Sequence, residues 1–214
     1  MNPQEENPAA RLKRLLMEAG LAPLDLQTAA QFERYLSLII RWNARINLTA
    51  IRDEAGIQSR HFVESIACAR ALPEGIRTLL DFGSGAGLPG IPIALCRPEI
   101  YVTLSESQGK KAAFLQEAIR VLAVPASVHP GRAELLDSKF DCVTLRAVDR
   151  MPDAVRVAAS RIAADGWLAL MTSKGDLERL EFAAGGGFEW RSEIPLPVAE
   201  SRVLALAQRR AAIL

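Results

Sequence analysis

One stretch of the 214-residue chain joins an acid to a run of closely spaced glycines. It reads Leu79-Leu80-Asp81-Phe82-Gly83-Ser84-Gly85-Ala86-Gly87-Leu88-Pro89-Gly90-Ile91-Pro92. An apolar run before it and an apolar segment after it predict a strand, a tight loop and a helix N-terminus, the layout of a nucleotide-cofactor site. Glycine permits positive φ and lets a ligand approach the backbone, since no Cβ intervenes. Pro89 lacks an amide hydrogen and suits a first helical turn.

The segment Gly85 to Gly90 satisfies GxGxxG, a weak dinucleotide signal when it stands alone. Glu106, closing the second predicted strand, is placed to hold ribose hydroxyls in either an NAD site or an S-adenosylmethionine (SAM) site. Asp81 favours SAM, because a carboxylate there meets a cationic methionine end but would repel a pyrophosphate. The alternative for Asp81 is a turn cap. The chain's last two predicted strands also favour SAM. No helix separates them, so they form a hairpin, and an antiparallel strand must enter the sheet.

The target of methylation is narrowed by missing motifs. Leu145-Arg146-Ala147-Val148 stands where exocyclic-amine methyltransferases carry an (Asn/Asp)-Pro-Pro-aromatic motif, and no Pro-Cys loop supports covalent attack on a pyrimidine. Cys142 alternates within a strand and reads as core; His129 closes a strand beside Pro130 and reads as local structure. An acceptor with a free lone pair needs only proximity and orientation, which agrees with the absence of a recognisable base.

The elements that must position these residues fall into two parts. Residues 1–75 are expected to form a helical extension and 76–214 the SAM-binding core. Leu12, Leu15, Leu16 and Ala19 follow helical spacing up to Gly20. A second helix starts near Asp25 or Thr28 and carries Phe32, Leu36, Ile39, Ile40 and Asn43 on one side. A third, from about Ile57 to Ala71, sets His61 and Ser65 one turn apart on the same face. Strands are predicted at Thr78–Phe82, Ile100–Leu104, Ala126–His129, Phe140–Leu145, Trp167–Thr172, Phe188–Ile194 and Arg202–Ala207. Helices between them include one capped by Ser107 and one over Pro152–Ala164. The expected fold is α/β: a Rossmann-like, mostly parallel seven-stranded sheet with a C-terminal antiparallel hairpin.

Composition bounds the partners. Half the residues are hydrophobic, 24% are charged and the net charge is +1, so a nucleic acid must be met by a local basic patch. Arg34, Arg41, Arg45, Arg52 and Arg60 stand against Glu33, Asp53 and Glu54, with Asn43, Asn47 and Thr49 beside Trp42. That segment reads equally as a source of phosphate contacts or as a solvated face with helix caps. Three scattered cysteines form no CxxC pair; no metal site is expected, and a reduced, cytoplasmic setting follows. No apolar run approaches ~20 residues, so no membrane span is expected, and the acidic start at Met1–Glu6 lacks the layout of a signal peptide.

Several motifs occur in order: Trp42-Asn43-x-Arg45-Ile46-Asn47-Leu48-Thr49-x-Ile51, Arg60-His61-Phe62-x-Glu64-Ser65, Gly83 to Pro92, Gly109-Lys110-Lys111, Arg146-Ala147 and Lys174-Gly175. By them the chain resembles the ribosomal small subunit methyltransferase G family, also called the glucose-inhibited division protein B family, from about Leu12 to Ala207. The resemblance implies a class I SAM-dependent methyltransferase acting on N7 of a guanine in 16S rRNA, free or in a small-subunit intermediate. It implies cofactor contacts at Asp81, Gly83, Gly85, Gly87, Leu88, Glu106, Ala133, Glu134 and Arg146. Arg146 would position a reacting partner, with no general base. Candidate RNA contacts are Arg41, Asn43, Arg45, Asn47, Lys110, Lys111 and Lys174, and a monomer is expected. Glu106 and Glu64 stand where the family commonly has Asp, and Val148 replaces an aromatic residue. Two other classes stay open: a nicotinamide-dependent oxidoreductase and a ribosome-binding module that keeps a SAM fold without catalysis.

Overall fold

The computed structural model describes residues 6–197 and 201–210; the start of the chain read at 1–5 lies outside them. Helix α1 (Pro8–Glu18) is capped by Asn7, whose Oδ1 accepts from the Ala9 amide at 2.8 Å, with proline in the first turn. Helix α2 (Leu26–Asn43) starts on Asp25, whose Oδ1 accepts from Thr28 N at 2.9 Å. Phe32, Tyr35, Leu36 and Ile39 make its buried stripe at i, i+3, i+4 and i+7. Where one helix is predicted over 57–71 the chain runs through α3 (Glu54–Gly56), a π-helical stretch Ile57–Val63 and α4 (Glu64–Ala71). Phe62 from the π stretch lies edge-on to Phe32, with centroids 5.1 Å apart, and stacks on Tyr35 at 5.3 Å.

The loop from α2 to α3 is fastened by one side chain. Asn43 is buried. Its Nδ2 donates to the carbonyls of Thr49 and Ile51 at 3.1 and 3.2 Å. Its Oδ1 accepts from the amides of Leu48 and Thr49 at 2.9 and 3.2 Å. All its hydrogen-bonding groups are spent on the loop, which corrects the expectation that Asn43 contacts RNA.

The sheet contains β1 (Thr78–Phe82), β2 (Tyr101–Ser105), β3 (Ala126–His129), β4 (Phe140–Arg146), β5 (Ile162–Ser173), β6 (Phe188–Trp190), β7 (Ile194–Pro195) and β8 (Arg202–Arg209). Their order is β3-β2-β1-β4-β5-β8-β6, with β7 also on β8. Strands β1 to β5 pair in parallel, and β8 runs antiparallel to β5, β6 and β7. The expected doubly wound sheet and terminal hairpin are present. The expected count of seven is corrected to eight, because the predicted strand 188–194 is broken at Arg191-Ser192-Glu193 into β6 and β7, which pair with opposite ends of β8.

Helices α5 (Gly90–Cys96), α6 (Gly109–Leu122), α7 (Met151–Arg161) and α8 (Lys174–Ala184) cover the sheet. No element is predicted at 174–184, yet Leu177, Leu180 and Ala183 give α8 a buried side. Ser107 does not cap α6; Gln108 takes the cap position, and its amide is held by Glu106 Oε1 at 2.7 Å. Alternation along the strands sorts the interior into two cores. Leu79, Val102, Leu104, Cys142 and Leu204 pack with α5, α6 and the N-terminal helices, whereas Leu80, Val143, Leu145, Leu168 and Ala205 pack with α7 and α8.

Removing the fastener should loosen the loop. Asn43→Ala strands two amides and two carbonyls, and a loss of about 2–4 kcal/mol in urea-unfolding stability is expected; a change below ~0.5 kcal/mol would contradict this account of the loop.

Candidate functional site

The loops leaving the C-terminal ends of β1, β2 and β4 meet where the strand order reverses, the place at which open α/β sheets bind ligands. A cavity of about 540 Å³ opens there. The glycine loop forms its floor. Gly85 adopts φ +56°, and a Cβ there would meet nothing nearer than a carbonyl oxygen at 4.0 Å. Gly90 has the opposite constraint, since a Cβ would fall 2.4 Å from Leu104 and 2.7 Å from Asp81 Oδ2. One glycine keeps the cavity open and the other lets helix α5 start against β1.

Of the residues expected at a cofactor, Gly83, Gly85, Leu88, Glu106, Ala133, Glu134 and Arg146 line this cavity. Gly87 does not; a Cβ on it would collide with Ile91 and Leu115, so its smallness serves packing behind the loop. Asp81 is absent from the lining as well. It is 1% exposed, Oδ2 accepts from Gly90 N at 3.1 Å and Oδ1 from Thr144 Oγ1 at 3.1 Å. These two bonds are those of the turn-cap alternative, and they hold Asp81 behind the glycine loop. Burial pushes its carboxyl up to about 6, against the pull of the Ser84, Gly90 and Thr144 hydrogen bonds and the Arg146 charge.

Glu106 joins the loop to helix α6. Its Oε2 accepts from Gly85 N at 2.9 Å while Oε1 holds Gln108 N; each oxygen retains a second lone pair, and the residue lines the cavity. Ala133 and Glu134 open a 3₁₀ turn, Ala133–Leu135, on the cavity wall. Tyr35 reaches from α2 to donate its hydroxyl to the Ala86 carbonyl, so the helical extension fixes the glycine loop directly.

At the β4 end Arg146 is drawn into the extension. Its Nη2 donates to the Arg60 carbonyl and to Glu64 Oε2, each at 2.8 Å, and faces His61 Nδ1 at 3.1 Å; Nη1 reaches Ser65 Oγ at 3.4 Å. The side chains of Arg146 and Glu64 are 9% and 1% exposed. Burial drives the Glu64 carboxyl up and the Arg146 guanidinium down, and each opposes the shift by stabilising its partner's charge. Arg202 from β8 adds a second cation 3.4 Å from Glu64 Oε1. Beyond Arg146, His61 Nε2 lies 2.7 Å from Thr49 Oγ1, and both residues line the cavity. The predicted pairing of His61 and Ser65 on one face is what lets both meet Arg146. Arg202 and Tyr35 carry no motif signal, and Glu64, though part of the Arg60–Ser65 motif, gains its charge partners only when β8, α2 and α4 meet the sheet.

The expected RNA contacts are spread over several elements. Lys111 lines the cavity, and Lys110 and Lys174 are exposed at the starts of α6 and α8. Arg41 pairs with Glu117, which also accepts from Trp42 Nε1 at 2.9 Å. Arg45 and Asn47 are exposed in the loop after α2, with Asn47 Oδ1 accepting from Arg52 at 3.1 Å. No group of three or more His, Cys, Asp or Glu side chains placed to hold a metal occurs among the described residues.

A family model described as GidB, rRNA small subunit methyltransferase G, matches residues 28–185. Ribosomal RNA small subunit methyltransferase G of Xanthomonas campestris pv. campestris is 43% identical over 164 residues, 75% of this chain and 76% of that protein. Its counterpart in Stenotrophomonas maltophilia is 40% identical over 199 residues, 90% of this chain and 92% of that protein. Among solved structures, ribosomal protein L11 methylase from Lactobacillus delbrueckii subsp. bulgaricus is similar with TM-score 0.57 at 16% identity, over 71% of this chain and 79% of that one. TYW2 of M. jannaschii in complex with AdoMet gives TM-score 0.58 at 16% identity, over 78% of each chain. These two likenesses concern the fold.

The imidazole of His61 is pushed down to about 3 by burial and by the charges of Arg146, Arg60 and Arg202. A depressed pKa stabilises the folded chain above the ordinary value near 6.5, and that contribution drains away as pH falls toward about 3. In urea unfolding, the stability of the wild type relative to His61→Gln should fall by ~1 kcal/mol per pH unit below pH 6. A difference that stays constant between pH 7 and pH 4 would contradict the buried neutral imidazole.

Proposed function

The chain belongs to the rRNA small subunit methyltransferase G family, and from that premise we propose that it transfers a methyl group from SAM to N7 of a guanine in 16S rRNA. The observation that carries this reading is the family match along most of the chain, including every strand that bounds the cavity. The protein is an enzyme with a SAM-fold core, and its substrate is the RNA of the small subunit. The antiparallel β8 between β5 and β6 also separates it from the all-parallel 3-2-1-4-5-6 order of dinucleotide domains, so nothing favours a nicotinamide oxidoreductase.

The residues present fit the cofactor. The open space over Gly85 is bounded by a carboxylate with free lone pairs, Glu106, and by the start of a 3₁₀ turn whose first amides have no partner within the turn. SAM supplies a methyl group on a sulfonium, an electrophile that leaves as a neutral thioether. Glu106 would hold the ribose hydroxyls, Ala133 and Glu134 the adenine, and Gly83, Gly85 and Leu88 the chain toward the sulfur. Asp81 and Gly87 would act one layer behind, by setting the loop. Arg146 would position the reacting partner at the β4 end. Guanine N7 carries a lone pair and no proton, so no base is required, and rate comes from proximity and in-line placement.

The division of labour follows from this placement. Residues 76–214 hold the cofactor, and the extension, residues 1–75, faces the RNA through Arg41, Arg45 and Asn47, with Lys110, Lys111 and Lys174 adding phosphate contacts from the core. No helix among the described residues is long and apolar enough to cross a membrane, and the reading places a monomer in the cytoplasm, acting on rRNA or an assembling small subunit.

Purified protein with tritiated SAM should label N7 of one guanine in undermethylated 16S rRNA or in small subunits; SAM binding without label in any RNA form would overturn the reading. Gly85→Asp places bulk and a second negative charge beside Glu106, and should weaken SAM binding more than tenfold by calorimetry. RNA binding should persist in that variant, and SAM affinity equal to wild type would remove the glycine loop from the cofactor site.

A further inference from the structure

Hydrogen-bond polarity along one chain of side chains fixes what Thr49 can offer to a substrate. Arg146 Nη2 shares its two hydrogens among the Arg60 carbonyl, Glu64 Oε2 and His61 Nδ1, the last at 3.1 Å, and a guanidinium offers no acceptor, so the tautomer that fits this contact has a bare Nδ1. His61 is a neutral imidazole, and a bare Nδ1 leaves the hydrogen on Nε2. That hydrogen points to Thr49 Oγ1 at 2.7 Å. The amide of Ile51 donates to the same oxygen at 3.2 Å. A hydroxyl accepts two hydrogen bonds and donates one. Both acceptor positions of Thr49 are filled from within the protein, and among the described residues nothing accepts its proton. Thr49 lines the cavity, as do Leu48, His61, Arg146 and Val148. The side chain is thus a donor and only a donor, held in that polarity by Arg146 through His61.

We propose that Thr49 is a specificity-determining residue that donates its hydroxyl hydrogen to O6 of the target guanine. The proposal rests on the guanine-N7 reading. N7 and O6 share one edge of guanine, whereas adenine presents an amino group at the position of O6. A donor-only hydroxyl finds an acceptor on guanine and meets another donor on adenine, which also has a methylatable N7. The inference accounts for selection of the base. His61 acts here as a positioning residue, through Thr49. Charge develops on the base as the methyl arrives and weakens O6 as an acceptor, so the bond belongs to binding more than to the transition state. Its loss should therefore raise KM and leave kcat near its original value.

The test uses the full-length enzyme, SAM and RNAs carrying guanine, inosine or 2-aminopurine at the methylated position. Inosine keeps O6, and 2-aminopurine lacks it. The wild type should treat guanine and inosine alike and show about a tenfold higher KM for 2-aminopurine, the size of one hydrogen bond. Thr49→Val should bring all three to the 2-aminopurine value, and Thr49→Ser should restore the gap. A wild type that does not distinguish guanine from 2-aminopurine overturns the proposal, as does a Thr49→Val enzyme that keeps the gap. Binding of S-adenosylhomocysteine by calorimetry reports whether Thr49→Val remains folded; if it does not, the wild-type base series and Thr49→Ser decide. Failure of the wild type to label N7 of any guanine RNA is a different result and removes the underlying reading.

Discussion

A charged guanidinium buried at the seam between sheet and extension is the constraint on which the rest depends. Arg146 leaves the end of β4 and enters the helical run from Arg60 to Ser65, where a carbonyl, a carboxylate, an imidazole and a hydroxyl surround it. Removing one member of a buried ion pair costs ~3–5 kcal/mol, because the other charge is left unpaired. The extension is thereby committed to one position on the core. The π-helical stretch belongs to the same arrangement, since π turns concentrate at functional sites and this one delivers Arg60 and His61 to the guanidinium.

The two acids nearest the glycine loop show how similar residues divide the work. Asp81 faces inward and spends both oxygens on Gly90 N and Thr144, which ties the start of α5 to β1 and β4. Glu106 faces the cavity and spends one lone pair of each oxygen on Gly85 N and Gln108 N. The first acid shapes the loop from behind; the second both shapes it and presents charge to a ligand. Tyr35 completes the set by anchoring the Ala86 carbonyl from the extension.

Much of the architecture was legible in the sequence because its signals are local. Strand β1, the glycine loop and the terminal hairpin are written in short contiguous patterns, and helix α2 in its apolar period. What was not legible depended on partners distant along the chain. Asp81 and Asn43 have the composition of binding residues, and only the fold shows their groups satisfied within the protein. Glu64 gains its meaning from Arg146 and Arg202, 82 residues away along the chain in the first case. The break between β6 and β7 escaped because charged residues at 189, 191 and 193 alternate with Phe188, Trp190 and Ile194 on either side of Ser192, so a strand period reads through the break.

The placement of β8 bears on how the molecule is made. Although it is the last strand along the described chain, it sits inside the sheet, with β5 on one side and β6 and β7 on the other. Its residues Val203 to Ala207 are buried, with Leu204 and Leu206 in one core and Ala205 and Ala207 in the other. Synthesis proceeds from the N-terminus, so β6 and β7 emerge before β8, the strand they pair with among the described residues. Until residues 202–209 leave the ribosome, β5 presents an open hydrogen-bonding edge and Arg202 is missing from the carboxylate of Glu64. Completion of the sheet and completion of the charge cluster beside the cavity are therefore a single late event in biogenesis.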